Sequence, residues 1–279
     1  MKILCVVVIY NPNIKILQKN LISLTKNIDK VIIWDNTPGG IGVKKINDVQ
    51  VYGDGNNLGL SRAYNKALRI ATDESFDFLM TMDQDSIWYN LISYLDQIKK
   101  DNEIHNECET LYFASTRPGN SQKFTNIEDG GVNSGAIIPV DYLLKNGGYN
   151  TDFFVDAIDD WLILQATKDG CRCVRVGNSY IIQIYGEPMS AKFLGYRFRI
   201  LNYSPMRLYG IMRNYVILWR NFRVSQTFKK KVIYDFFLIR VTKILLGEQD
   251  KRRKIKAIIY GIYDGILRHS SRIDLFMNR

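Results

Sequence analysis

The sequence predicts an α/β fold, with a mostly parallel, Rossmann-like sheet flanked by helices and then a basic, mostly helical carboxyl region. Three observations carry this. In the first half, short apolar runs rich in β-branched residues alternate with segments of helical spacing. Each run ends in a polar or glycine-rich stretch, as strands do where crossover loops leave a parallel sheet. Charge is also divided along the chain: residues 191–279 hold 20 Lys/Arg against 5 Asp/Glu, while residues 1–190 hold 18 against 23. The expected division is a body of residues 1–190 and a basic region of residues 191–279.

Strands are expected at Ile3 to Ile9, Val31 to Trp34, Val49 to Tyr52 and Phe76 to Met82, then at Leu111 to Ser115, Val132 to Ile138, Arg172 to Val176 and Tyr180 to Tyr185. Between them, Ile14 to Asn27 places Leu17, Leu21 and Leu24 on one helical face, and Leu58 to Ala71 does the same with Leu60, Ala63, Ala67 and Ile70. Asp156 to Asp169 reads as a helix entered through acidic residues. Four loops at strand carboxyl ends should meet at one crevice: Tyr10-Asn11-Pro12, Asp35 to Gly40, Gly53 to Gly59, and Asp83 to Ser86. For any one of them the alternative is that strand ends simply need turn residues.

An apolar fraction of 46% excludes a disordered or fibrous chain. The first apolar run is too short for a signal or a span, and no other stretch approaches the roughly 18 apolar residues a spanning helix needs. A soluble or peripherally attached protein is expected. The four cysteines, Cys5, Cys108, Cys171 and Cys173, read as free thiols. Cys171 and Cys173 share one face of a strand-like run; a zinc site would need partners, and His105 and His269 lie far off in sequence.

Asp83 and Asp85, one residue apart after a buried strand, can turn to the same side and chelate a hard divalent cation, which a diphosphate would complete. The alternative is a turn capping a helix that starts near Ile87, with Asp85 or Ser86 as N-cap. In the second acidic cluster, Asp152, Asp156, Asp159 and Asp160, one carboxylate suffices as a general base. The competing reading is acids that favour a helix N-terminus.

Seven blocks, in order, resemble the inverting GT-A glycosyltransferases of family 2, in the bacterial rhamnosyltransferase-like branch. They are Val8 to Pro12, Trp34-Asp35-Asn36, Asn57 to Asn65, Met82 to Ser86, Asn133-Ser134-Gly135, Phe154 to Trp161, and Tyr203 to Asn214. The resemblance implies a GT-A fold over roughly the first 220 residues, a nucleoside diphosphate sugar donor, and Mg²⁺ or Mn²⁺ held by Asp83 and Asp85. It implies that Tyr10, Asn11, Asp35 and Asn36 line the base and ribose site, with Asn57, Gly59, Arg62, Asn65 and Gln84 along the nucleotide. Asn133, Ser134, Gly135 and Trp161 would meet the acceptor. On the family's Phe-x-x-x-x-Asp pattern Asp159 is the base, with Asp160 the neighbouring alternative. The branch suggests L-rhamnose from deoxythymidine diphosphate rhamnose, moved to a saccharide or lipid-linked acceptor of bacterial surface polysaccharide.

Three positions depart from that pattern. Trp161 and Gln165 stand where members often carry an acid and an arginine. Gln183, before Gly186-Glu187-Pro188, stands where a histidine often completes the metal or phosphate site, and glutamine is a poorer metal ligand than imidazole. Gln183, Arg207 and Arg213 are the expected diphosphate contacts.

In the basic region, Lys229-Lys230-Lys231 precedes an apolar helix, Val232 to Leu246. Lys251-Arg252-Arg253-Lys254 precedes an isoleucine stripe, Ile255, Ile258, Ile259, Ile262 and Ile266. Such helices suit an anionic membrane, on the cytoplasmic face of the inner membrane for this family. The alternative is packing on the body or on a second copy as a homodimer. Nucleic acid is not expected, since no nucleic-acid module accompanies the charge. Two other readings of the whole are a nucleotidyltransferase on a similar sheet, which the lack of a basic glycine loop after the first strand opposes, and a non-catalytic membrane-associated partner subunit.

Overall fold

The computed structural model describes residues 1–105, 109–118, 123–183, 189–193, 195–267 and 272–276. Cys108, His269, the Gly186-Glu187-Pro188 turn and the end of the Tyr180 to Tyr185 run lie outside the described residues. The chain forms two compact units, one of Met1–Phe154 with Ile158–Ile184, the other of Val155–Ala157 with Tyr185–Arg279.

The first unit is built on one sheet. Its strands are β1 (Ile3–Ile9), β2 (Lys30–Asp35), β3 (Lys45–Ile46), β4 (Val49–Tyr52), β5 (Phe78–Asp83), β6 (Ser86–Tyr89), β7 (Thr110–Ser115), β8 (Phe124–Asn126), β9 (Ala136–Pro139) and β10 (Arg172–Gln183). They lie in the order β3-β4-β2-β1-β5-β9-β7-β10-β6, with β8 also on β10. Its helices are α1 (Ile14–Thr25), α2 (Leu60–Asp73), α3 (Leu91–Ile104), α4 (Val140–Lys145) and α5 (Ile158–Lys168).

The parallel expectation holds for β4, β2, β1 and β5, with α1 joining β1 to β2, α2 joining β4 to β5, and the short strand β3 between β2 and β4. It fails beyond β5, where β9 runs antiparallel to both its neighbours, so the sheet is mixed. Arg172 to Val176 and Tyr180 to Gln183 form one strand, β10, whose register shifts between Arg175 and Tyr180. The continuous β-branched runs of β1 and β2 are explained by burial on both faces, with Val6, Val7, Ile32 and Ile33 fully enclosed. Two stops have local causes. Asn13 caps α1 by accepting the Lys15 and Ile16 amides. Helix α5 begins at Ile158 rather than Asp156 because Asp156 and Ala157 adopt left-handed backbone, φ 58° and 63°.

The second unit is not wholly helical. It opens with a hairpin, β11 (Met189–Phe193) against β12 (Tyr196–Ile200), before α6 (Pro205–Asn221), α7 (Gln226–Lys231), a π-helical stretch Val232–Ile239, α8 (Arg240–Gly247) and α9 (Lys251–Leu267). Leu208, Met212, Ile244 and Ile258 form its core. Buried pairs join its interior: Lys254 Nζ meets Glu248 Oε2 at 2.8 Å, and Asp264 takes the Tyr209 hydroxyl and the Arg272 guanidinium.

Candidate functional site

The four loops at the carboxyl ends of β1, β2, β4 and β5 are tied to one another, so they do form one rim. The Asn36 amide donates to the Ile9 carbonyl (2.8 Å), the Asn11 amide to Thr37 Oγ1 (3.0 Å), and the Gly39 amide to the Gly55 carbonyl (2.9 Å). The Tyr10 amide donates to Gln84 Oε1 at 2.7 Å, and Gln84 Nε2 donates back to the Tyr10 carbonyl at 3.1 Å. Gln84 therefore joins the first loop to the fourth. Tyr10 is left exposed beside it.

Asp35 is buried, and its carboxylate accepts the Thr37 and Ile41 amides at 2.8 and 2.7 Å. It shapes its own loop first; a ligand N–H would use the remaining lone pairs. Gly53 permits this, since a Cβ there would meet the Asp35 carbonyl oxygen at 2.8 Å. Buried Asn36 reaches across to the Gly59 carbonyl and accepts the Leu58 amide, while Asn57 Oδ1 accepts the Gly59 amide. Gly59, at φ +76°, cannot carry a side chain, because Phe154 O lies 2.5 Å from its Cβ position. On α2, Arg62 is exposed. The Asn65 carboxamide accepts the Tyr149 N–H at 2.7 Å and donates to the Tyr149 carbonyl at 2.8 Å.

Asp83-Gln84-Asp85 is the tight turn from β5 into β6. The helix-cap alternative is thereby overturned, since Ser86 starts a strand and Asn90 caps α3. Asn20 Nδ2 holds the Asp83 carbonyl (3.1 Å), Ser134 Oγ accepts the Asp83 amide (3.1 Å), and Ser134 donates to Ser86 Oγ (2.8 Å). Ser134 is buried, and Gly135, φ +80°, packs against Trp88 where a Cβ would not fit. These two residues form the floor of the turn. Asn133 keeps a buried Oδ1 without a hydrogen-bond partner.

Antiparallel pairing sets Gln183 of β10 opposite Ser86, and Gln183 Nε2 donates to Asp83 Oδ2 at 3.0 Å. Burial raises the Asp85 carboxyl above the usual carboxylate range, against a lowering by its own backbone hydrogen bond. Two carboxylates and a carboxamide oxygen make a hard, oxygen-rich donor set, and a divalent cation there would offset the cost of burying Asp85. The residues present thus fit Mg²⁺ or Mn²⁺. Among the described residues no group of three His, Cys, Asp or Glu side chains is placed to hold a metal. Cys173 is buried and Cys171 partly so, and burial pushes the Cys171 and Cys173 thiols up to about 11 and about 12.

In the first turn of α5, Asp159 is half-buried and accepts the Asp160 amide at 3.0 Å. Asp160 is buried, and its Oδ1 accepts the Gly130 amide at 3.0 Å. The hydroxyl of Tyr64, on α2, relates the two acidic elements. Its pKa is raised well above the usual phenol range by burial, then by Asp83, Tyr149 and Asp159, and the hydroxyl lacks a hydrogen-bond partner. Asp83 and Asp159 thus both act electrostatically on one buried phenol. In the sequence Tyr64 stood only within the Asn57 to Asn65 block, with no role of its own. Asn20 left a signal, a polar residue on the Leu17-Leu21-Leu24 face. Trp161 is buried, ring centroid 6.3 Å from Phe153, and Gln165 donates to Asp169.

Arg207 and Arg213 belong to the second unit. Arg207 grips Asp156 with two hydrogen bonds (2.9 and 2.8 Å) and lies 4.2 Å from the Tyr203 ring centroid. Arg213 is buried. Asn214 donates to the Val155 and Asp156 carbonyls, so α6 fixes the left-handed segment.

No family model matches the chain. Among curated proteins it is 23% identical over 286 residues to the dTDP-rhamnosyl transferase RfbF of Shigella flexneri, covering 95% of each. Among solved structures, S. aureus TarS 1–349 in complex with UDP-GlcNAc superposes with TM-score 0.55 at 18% identity, covering 99% of this chain and 84% of that one. GalNAc-T7 with UDP, GalNAc and Mn²⁺ superposes with TM-score 0.60 at 13% identity, covering 97% of this chain. The chain spans 50% of the longer TarS chain and 58% of GalNAc-T7. With the mixed sheet, the ordered motifs and a likeness to a rhamnosyl transferase along nearly the whole chain, the expected resemblance is borne out: this protein has the fold of the GT-A glycosyltransferases.

Proposed function

We propose that the chain is an inverting, divalent-metal-dependent glycosyltransferase that takes a sugar, L-rhamnose from a deoxythymidine diphosphate donor, to a saccharide or lipid-linked acceptor in surface polysaccharide synthesis. The observation that carries this is the rim itself: hydrogen bonds tie together the loops after β1, β2, β4 and β5, and Asn20, Ser134 and Gln183 hold Asp83 at the turn into β6. It is supported by the likeness to a dTDP-rhamnosyl transferase and by the UDP-GlcNAc and Mn²⁺ present with structural neighbours.

Asp83 and Asp85, with Gln183, hold the cation; when bound, it supplies positive charge to the leaving diphosphate. The rim residues Tyr10, Asn11, Asp35 and Asn36 hold the base and ribose, and Arg62, an exposed cation in the first turn of α2, contacts a phosphate. Asp159 takes the proton of the acceptor hydroxyl as that oxygen attacks the anomeric carbon opposite the diphosphate. Asp160, buried and bonded to Gly130, is the weaker candidate for that role.

Peripheral membrane attachment is supported by apolar side chains the second unit leaves exposed: Ile259, Tyr263 and Ile266 on α9, and Ile233, Tyr234, Leu238 and Leu245 before and within α8. Exposed Lys230, Lys251, Arg252 and Lys256 accompany them. No helix among the described residues is long and apolar enough to cross a membrane.

A panel of nucleotide sugars incubated with the protein and Mn²⁺, and again with chelator, tests the reading. Release of nucleoside diphosphate, fastest from dTDP-rhamnose and abolished by chelation, is expected. No metal-dependent release or binding with any donor would overturn it, and nucleotide transfer with pyrophosphate release would favour the nucleotidyltransferase.

A further inference from the structure

Within the first unit, beyond the end of β7, lies a cavity of about 290 Å³ that none of the residues discussed so far accounts for. Its lining is Ala114, Ser115, Thr116 and Arg117 on one side, Gly130, Gly131 and Val132 on another, with Arg175 of β10. That lining includes two arginines, a serine and a threonine and, among the described residues, no carboxylate.

The walls are fixed by the local sequence. Ser115 Oγ donates to the Arg117 carbonyl at 2.8 Å and accepts the Arg117 amide at 3.3 Å, forming the turn that carries Arg117. Parallel pairing of β10 with β7 sets Arg175 beside Phe113, and its guanidinium donates to the Gly130 carbonyl at 2.9 Å. The Gly130 amide donates in turn to Asp160. Gly131 lets this loop lie close to the sheet, since a Cβ there would meet Ile163 Cδ1 and Phe113 Cδ1 at 2.4 and 3.1 Å. One residue, Gly130, therefore joins the cavity's arginine to the acidic first turn of α5. One hydrogen bond uses only part of the five-donor fork of Arg175, and Arg117 is exposed.

We propose that this cavity is an oxyanion subsite for the acceptor: it takes a phosphate ester or a uronate carboxylate on the acceptor saccharide, through Arg117 and Arg175. The volume admits a charged group with part of a sugar, and planar guanidiniums match both oxyanions. That the anion belongs to the acceptor rests on the transferase reading, because the link through Gly130 runs to the element of the proposed base. The preference of the cavity for anions does not rest on it.

Saturation-transfer NMR without metal, on wild type and Arg117→Gln, uses glucose 1-phosphate, glucuronate and neutral glucose as probes. Either charged sugar, or both, should bind wild type and be displaced by inorganic phosphate, with glucose at least about tenfold weaker. Binding of glucose 1-phosphate alone assigns the site to phosphate esters, and of glucuronate alone to uronates. Arg117→Gln, whose exposed side chain makes folding secure, should weaken the charged probes about tenfold, and Arg175→Gln should do the same with its fold checked by thermal unfolding. Equal binding of glucose, no binding of either charged sugar, or undiminished binding in Arg117→Gln would overturn the proposal. Titration of dTDP with Mn²⁺ into wild type reads the transferase separately, so loss of one result leaves the other standing.

Discussion

Asp85 shows how a single side chain ties the apo protein to its ligand. Burial raises its pKa, so the folded protein holds that proton more tightly than the unfolded chain does. The contribution is stabilising at low pH and is lost as pH rises through the folded pKa, where the carboxylate ionises in a poorly solvated place. A cation should offset that cost only where the carboxylate is ionised. The rise in Tm on adding Mn²⁺ should therefore be larger at pH 7.5 than at pH 5, and Asp85→Asn should abolish it while stabilising the metal-free protein at pH 7.5. Equal Mn²⁺ shifts at both pH values would count against the assignment. Tyr64 permits another test: its buried hydroxyl lacks a hydrogen-bond partner, so Tyr64→Phe should leave the thermal stability of the ligand-free protein unchanged or slightly raised. A fall of more than about 1 kcal/mol would mean the hydroxyl has a structural partner. At this scale the sequence made chemistry legible through spacing, as in Asp83-Gln84-Asp85, but not the tasks of polar neighbours. Nothing in the letters Asn65, Ser134 or Arg207 says that their groups are taken up by Tyr149, Ser86 and Asp156, because those bonds join residues far apart in the chain.

The elements followed the hydrophobic period where it was long and clear. β1, β4 and α2 start within two residues of expectation. Misses came where the pattern was short or two-sided. β6 has four residues, and β3 only two. The β11–β12 hairpin hides in a Lys- and Arg-rich alternation that resembles a polar helix face. The sense of β9 was illegible too, since an apolar run carries no direction and only its Phe78–Pro139 to Thr81–Ala136 register fixes it. In the second unit, Lys254 was expected among surface cations, yet its ammonium is buried against Glu248 and Asn202. Removing one partner strands the other charge, so Glu248→Ala should destabilise that unit by about 3–5 kcal/mol. The Lys254→Met/Glu248→Leu pair should cost much less than the sum of the singles in chemical denaturation; additive losses would show that the charges do not act as a pair.

For the molecule as a whole, the division of charge was plain in the sequence, whereas the faces it decorates needed coordinates. The isoleucine stripe of α9 splits, with Ile258 in the core and Ile259 and Ile266 outside. Exposed cations beside those side chains should bind vesicles containing anionic lipid, each contributing on the order of 1 kcal/mol near the surface. Flotation should show binding that weakens with salt and is absent on neutral vesicles, and equal binding to neutral vesicles would contradict the electrostatic part. The catalytic account itself turns on the separation of two carboxylate tasks between the β5–β6 turn and α5. It is tested most directly by Asp159→Asn, with dTDP-rhamnose binding in Mn²⁺ followed by calorimetry and release of dTDP by turnover. Donor affinity within about twofold of wild type, with turnover lowered about 100-fold or more, is the expected result. Wild-type turnover in Asp159→Asn would contradict the account.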